Sequence, residues 1–166
     1  TNRVTIPTLR TGDFTTFVVD GNAVLDGGSW WRAKNPDKTT ATTLLRTAIG
    51  GNLTVGTGFT FDAYNTGFPT PGGPSPGWSS MGAAHGGHGG HASGALYGDG
   101  VIYGNYRTPT ALGSGAYADE NGGGTVVITV EGDMVHNGTI TATAGSISWQ
   151  HAPSGGSVMI TAASLS

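Results

Sequence analysis

The chain has 166 residues, a net charge of −3, 10% charged residues, 31 glycines and no cysteine. That length suits one domain with one core. The few Lys and Arg residues exclude the basic stripe of a nucleic-acid binder and the polybasic patch of a membrane-surface protein, and without cysteine there is no disulfide and no thiolate metal site.

Low charge combined with four Trp, five Tyr and five Phe is not a disordered composition, so order held by backbone hydrogen bonds and scattered aromatics is expected. No apolar run approaches the ~20 residues of a membrane span. Thr1-Asn2-Arg3-Val4 lacks a basic-then-apolar leader, which leaves either a removed leader or a chain complete apart from its initiator Met.

In chain order, Val4-Thr5-Ile6 reads as a strand able to add to a neighbour's sheet. Phe14-Thr15-Thr16-Phe17-Val18-Val19 is predicted as a strand ending at the turn Asp20-Gly21-Asn22. Ala23-Val24-Leu25 is another, ending at Asp26-Gly27-Gly28, because Asp-Gly and Gly-Gly suit tight turns. Thr39 to Ile49 is the single helix candidate, but its threonines favour a pleated strand, and a strand is predicted. Thr125 to Val130 is nearly continuous in apolar residues, which predicts burial on both faces. Thr139 to Ala144 alternates, which predicts a half-buried strand, and Ser157 to Thr161 supplies the last strand.

Repeats organise these strands. Gly51-Asn52-Leu53 through Ala63 aligns without gaps on Gly132-Asp133-Met134 through Ala144, so that Leu53 matches Met134 and Phe59 matches Ile140. Gly123-Gly124-Thr125 through Thr129 echoes Gly155-Gly156-Ser157 through Thr161, and Leu9-Arg10-Thr11 recurs as Leu45-Arg46-Thr47. Short strand pairs with glycine at the corners suit a stacked arrangement in which each unit hides its neighbour's faces. The fold class expected is therefore all-β, with a β-solenoid or β-helix-like core carrying a long Gly/Pro-rich insertion; a β-sandwich or jelly roll is the alternative. Residues 1–43 are read as an N-terminal β segment for assembly or attachment, and 44–166 as the glycine-rich module.

The insertion, Asn65 to Gly124, is too long for an ordinary loop. It holds Pro69, Pro71, Pro74 and Pro76, yet also Trp78, Tyr97, Ile102, Tyr103, Tyr106 and Leu112. A flexible linker does not need such aromatics, so packing on the β framework is expected.

The order Ala84-His85-Gly86-Gly87-His88-Gly89-Gly90, Tyr97-Gly98, Leu112-Gly113-Ser114-Gly115, Gly122-Gly123-Gly124, Asn137-Gly138-Thr139-Ile140-Thr141-Ala142, then Gly155-Gly156-Ser157-Val158-Met159-Ile160-Thr161 resembles the glycine-rich repeat modules of large bacterial extracellular proteins and phage tail-fibre-type proteins. The resemblance spans roughly Leu44 to Thr161 and implies a β-helical core in a surface or fibre context, with no catalytic residues to carry over. It departs where Ala116-Tyr117, rather than more glycine, follows Gly115.

Three sets of residues are candidate sites. His85, His88 and His91 are spaced by three, and neutral imidazole suits Zn or Ni. An extended threefold helix would put them on one face but ~9 Å apart, beyond one metal's reach. Trp30 and Trp31, with Tyr103 and Tyr106, offer aromatic faces on which a sugar ring could stack; core and interface packing is the competing role for the tryptophans. Asn52 and Asn137 fit the N-glycosylation pattern, which matters only in a glycosylating host. Asp20, Asp26 and Asp133 sit beside glycine in turn contexts, adjacent Asp119 and Glu120 would face opposite ways on a strand, and no acid–base pair is seen; Gly113-Ser114-Gly115 lacks the helix of a nucleophile elbow.

The expectation is a non-enzymatic structural protein, extracellular or on a virion surface, without a cofactor. It would assemble with itself as an oligomer or filament through its β-edges. A glycan-binding adhesin for a cell-surface glycan is the alternative, and a polysaccharide-active β-helix enzyme a second one.

Overall fold

A computed structural model describes residues 9–11, 16–32, 44–78, 81–90, 100–117, 120–146 and 152–166. Twelve strands occur there: β1 (Leu9–Thr11), β2 (Phe17–Val19), β3 (Ala23–Leu25), β4 (Ser29–Arg32), β5 (Leu44–Ile49), β6 (Leu53–Val55), β7 (Thr60–Asp62), β8 (Thr125–Val130), β9 (Asp133–His136), β10 (Thr139–Thr141), β11 (Ser157–Thr161) and β12 (Ser164–Leu165). No helix occurs among the described residues. The chain is all-β.

The strands form three four-stranded sheets, ordered β2-β5-β8-β11, β3-β6-β9-β12 and β1-β4-β7-β10. From β2 onward, successive strands go to these sheets in the same rotation, and every pairing between strands is parallel. The 43/44 boundary lies outside the described residues. The strands on either side of it pair across all three sheets, as β2 with β5, β3 with β6 and β4 with β7.

One core lies between the sheets. In-register positions share a face, so inward residues stack in rows: Trp30, Phe61 and Ile140 in one sheet, and Ala23, Leu53 and Met134 in another. Val19, Ile49 and Val130 form a row in the third. The β8 strand is buried on both sides as expected, except at Thr129. Its outer face is covered by the insertion, where Thr125 Oγ1 donates to the Ala111 carbonyl at 2.9 Å.

The repeats place the pairings, with one slip. Ser157 to Thr161 pairs residue for residue with Thr125 to Thr129, and Leu53 pairs with Met134. Phe61, not Phe59, partners Ile140. The turn after β9 is Asn137-Gly138, two residues shorter than Gly56-Thr57-Gly58-Phe59 after β6, and an even shift preserves the inward face. Phe59 instead fills that corner, edge-on to Phe61 at 5.0 Å. Leu9-Arg10-Thr11 and Leu45-Arg46-Thr47 are not equivalents, since β1 and β5 belong to different sheets. The strand predicted over Thr139 to Ala144 ends at Thr141; beyond it the Ala142 carbonyl accepts from Gly156 and the Thr143 carbonyl from Asn65. Val4-Thr5-Ile6, Phe14, Thr15 and Thr39 to Thr43 lie outside the described residues.

A side-chain ladder runs along the corner before β3, β6, β9 and β12. Asn52 N–H donates to Asn22 Oδ1 at 2.8 Å, Asp133 N–H donates to Asn52 Oδ1 at 3.0 Å, and Ser164 Oγ donates to Asp133 Oδ1 at 2.7 Å. Asp133 thus serves the next unit.

The insertion packs by backbone contact. Gly67 N–H donates to Gly122 O, Gly122 to Phe68 O, Phe68 to Gly113 O, Gly113 to Gly123 O and Gly123 to Ser154 O, at 2.8–3.0 Å. The segments 67–68, 113–115, 122–124 and 154–156 therefore bond in more than two directions, as a lattice rather than a ladder. A Cβ at Gly113 would run into the carbonyls of Ser154 and Gly155, and one at Gly123 into the Ala142 carbonyl. Only hydrogen on the α-carbon permits these approaches.

Candidate functional site

Where the insertion meets the start of β11, a groove of about 430 Å³ opens, lined among others by His85, Ile102, Tyr103, Tyr106, Pro109 and Val158. That volume is within the range for small-molecule sites. Three of the sequence candidates, His85, Tyr103 and Tyr106, come together here.

His85 is held from two sides. Its Nδ1 lies 2.8 Å from the Gly155 carbonyl, and its ring lies over Tyr103 at 4.8 Å with a 34° tilt. A carbonyl only accepts, so Nδ1 carries the proton in the neutral ring and Nε2 is left as an acceptor. Nε2 faces Gly104, where a methyl group would sit 3.0 Å away; Gly104 also has φ +93°, a conformation that favours glycine.

Tyr103 is anchored beneath the groove. Its hydroxyl donates to the Leu112 carbonyl at 2.7 Å. With that proton committed, Ser114 Oγ donates to the Tyr103 oxygen at 2.8 Å and accepts from Ser75 N–H at 3.1 Å. Burial pushes the Tyr103 phenol above its ordinary 10.0, against the opposing pull of these hydrogen bonds. Ser114 is fully buried and its hydroxyl is spent on packing.

Tyr106 is 85% exposed. Arg107 Nε donates to its hydroxyl at 3.0 Å, and the guanidinium lies 5.3 Å from the ring centroid. Tyr106 lines the groove, and the Arg107 cation stands beside that ring, outside the lining itself. No protein-family model, no curated protein and no solved structure matches this chain.

The other candidates lie elsewhere. Trp30 cannot stack on a sugar: it is 0% exposed, edge-on to Phe17 at 5.1 Å and tilted against Phe61 at 6.3 Å. Its position on β4, in register with Phe61, turns it into the core. The side chain of Trp31 lies outside the described residues, as do His91, Tyr97 and Trp149. His88 is exposed while His85 is turned against Gly155 and Tyr103. Among the described residues no three His, Cys, Asp or Glu side chains cluster as metal ligands. Asn52 and Asn137 occupy exposed turns, with Asn52 Oδ1 engaged in the corner ladder.

Sequence reading missed Ile102, Arg107, Pro109 and Val158. The available signal was Val101-Ile102 and Tyr106-Arg107, apolar and aromatic residues within a glycine-rich run. Val158 was legible only as a strand residue; the groove needs the insertion folded back beside β11. The described lining has no carboxylate.

Proposed function

We propose that the chain is a three-faced β-solenoid building block of an extracellular fibre, a surface layer or a virion appendage, with a structural rather than a catalytic role. The observation that carries this reading is the rotation of strands among three sheets with parallel pairing throughout. Sandwiches and jelly rolls are built from antiparallel sheets. The resemblance of the glycine motifs to bacterial surface modules and phage tail-fibre-type proteins supports the placement outside the cell or on a virion.

Such a stack has two ends. The strands β1, β2 and β3 stand at one end of their sheets, and β10, β11 and β12 at the other. An edge strand offers unpaired backbone groups to a further strand. Leu165 on β12 is 58% exposed, so this edge also presents apolar surface. The partner proposed is a second copy, its β1–β3 end seated on the first copy's β10–β12 end, which gives a heterologous contact that propagates.

Sedimentation velocity over a hundredfold concentration range tests the assembly. Growth of oligomers with concentration is expected, as is its suppression by Leu165→Lys. A monomer at every concentration would refute it.

The groove, beside the terminal strand β11, favours a second role as a glycan-binding site. The supporting observation is an almost fully exposed Tyr106 beside a pocket of ligand size.

A further inference from the structure

The ligand class is written in the rim. Tyr106 offers an open aromatic face, and the C–H groups on one side of a pyranose ring pack well on such a surface. Ile102, Pro109 and Val158 extend the apolar lining. These features select a ring rather than a small inorganic anion.

Charge then separates neutral from acidic sugars. Arg107 uses Nε on the Tyr106 hydroxyl, which fixes the plane of the guanidinium and leaves the two Nη groups as a forked donor pair. A carboxylate matches that fork with two parallel charge-assisted hydrogen bonds. Also in the lining, His85 presents an Nε2 oriented by the Nδ1 contact to Gly155, an acceptor suited to a hydroxyl.

We propose that the groove binds a hexuronate unit of an acidic polysaccharide: the sugar ring packs on Tyr106, its carboxylate lies on the Arg107 guanidinium, and one ring hydroxyl donates to His85 Nε2. This rests on the glycan-binding reading above and adds the charge of the ligand.

Titration calorimetry with tetrasaccharides of galacturonate, of mannuronate and of hyaluronan, each as free acid and as methyl ester, tests it. At least one free acid is expected to bind, and its ester to bind about tenfold more weakly, the worth of one charge-assisted hydrogen bond. Arg107→Gln should weaken the free acid by the same factor and leave the ester unchanged. Tyr106→Ala should weaken both forms about tenfold. Both residues are exposed, so unaltered melting temperatures serve as the folding control. Equal binding of acid and ester would overturn the acidic assignment while leaving a glycan site in place. No binding of any form would overturn both.

Discussion

Trp30 marks the limit of what a single residue discloses. Two adjacent tryptophans on a strand point to opposite faces, and nothing in Ser29-Trp30-Trp31-Arg32 says which faces inward. Register decides it: Trp30 lies across from Phe61, and Phe61 from Ile140. Truncation to Ala should cost about 3–5 kcal/mol by the cavity it opens, read as a lower urea midpoint.

His136 continues the inward row of Leu25 and Val55, and its Nδ1 is buried without a hydrogen-bond partner in the structure. Burial lowers its affinity for a proton below the ordinary 6.5. The neutral ring's contribution to stability is therefore complete above about pH 6.5 and is lost as pH falls through the lowered folded value. The urea midpoint of the native chain should drop between pH 7.5 and 5 by more than that of His136→Leu; parallel curves would contradict this assignment.

Among the elements, strands with a repeat were readable and the corners between them less so. Ser157-Val158-Met159-Ile160-Thr161 announces its partner because both strands open on a Gly-Gly pair and carry the same pattern. The ungapped match of Phe59 to Ile140 failed because corner length is free to vary where one large side chain fills the space. The corner ladder was invisible for a different reason. Asn22, Asn52, Asp133 and Ser164 are residue types ordinary at corners and strand starts, and only the pairing of successive strands shows that they bond from one unit to the next. Asn52→Ala should cost about 1 kcal/mol, the net worth of a typical hydrogen bond, and should speed amide exchange at Asp133. Unchanged exchange there would mean that water replaces the Asn52 side chain without loss.

For the whole molecule, the glycines sort into two classes that composition alone cannot separate. A methyl group placed on Gly86, Gly87 or Gly90 would meet nothing within 4 Å, whereas one on Gly113, Gly122 or Gly123 would meet backbone carbonyls. Gly123→Ala should therefore destabilise the chain by about 1–3 kcal/mol through overpacking, while Gly86→Ala stays within about 0.5 kcal/mol. Comparable melting temperatures for the two variants would refute the close-packed lattice. That the insertion packs on the framework was legible from its aromatic and aliphatic residues, such as Tyr103 and Leu112. Its role as a wall of the groove was not, since Gly155 and Gly156 meet it from the far end of the sequence. The lattice bears on how this protein looks in solution. Its glycine segments have no ladder repeat and no helical turn, so a far-ultraviolet spectrum would count them as coil, while the amide protons of Gly67, Gly113, Gly115, Gly122, Gly123, Gly124 and Gly156, each held by a neighbouring carbonyl, should exchange as slowly as those of a sheet.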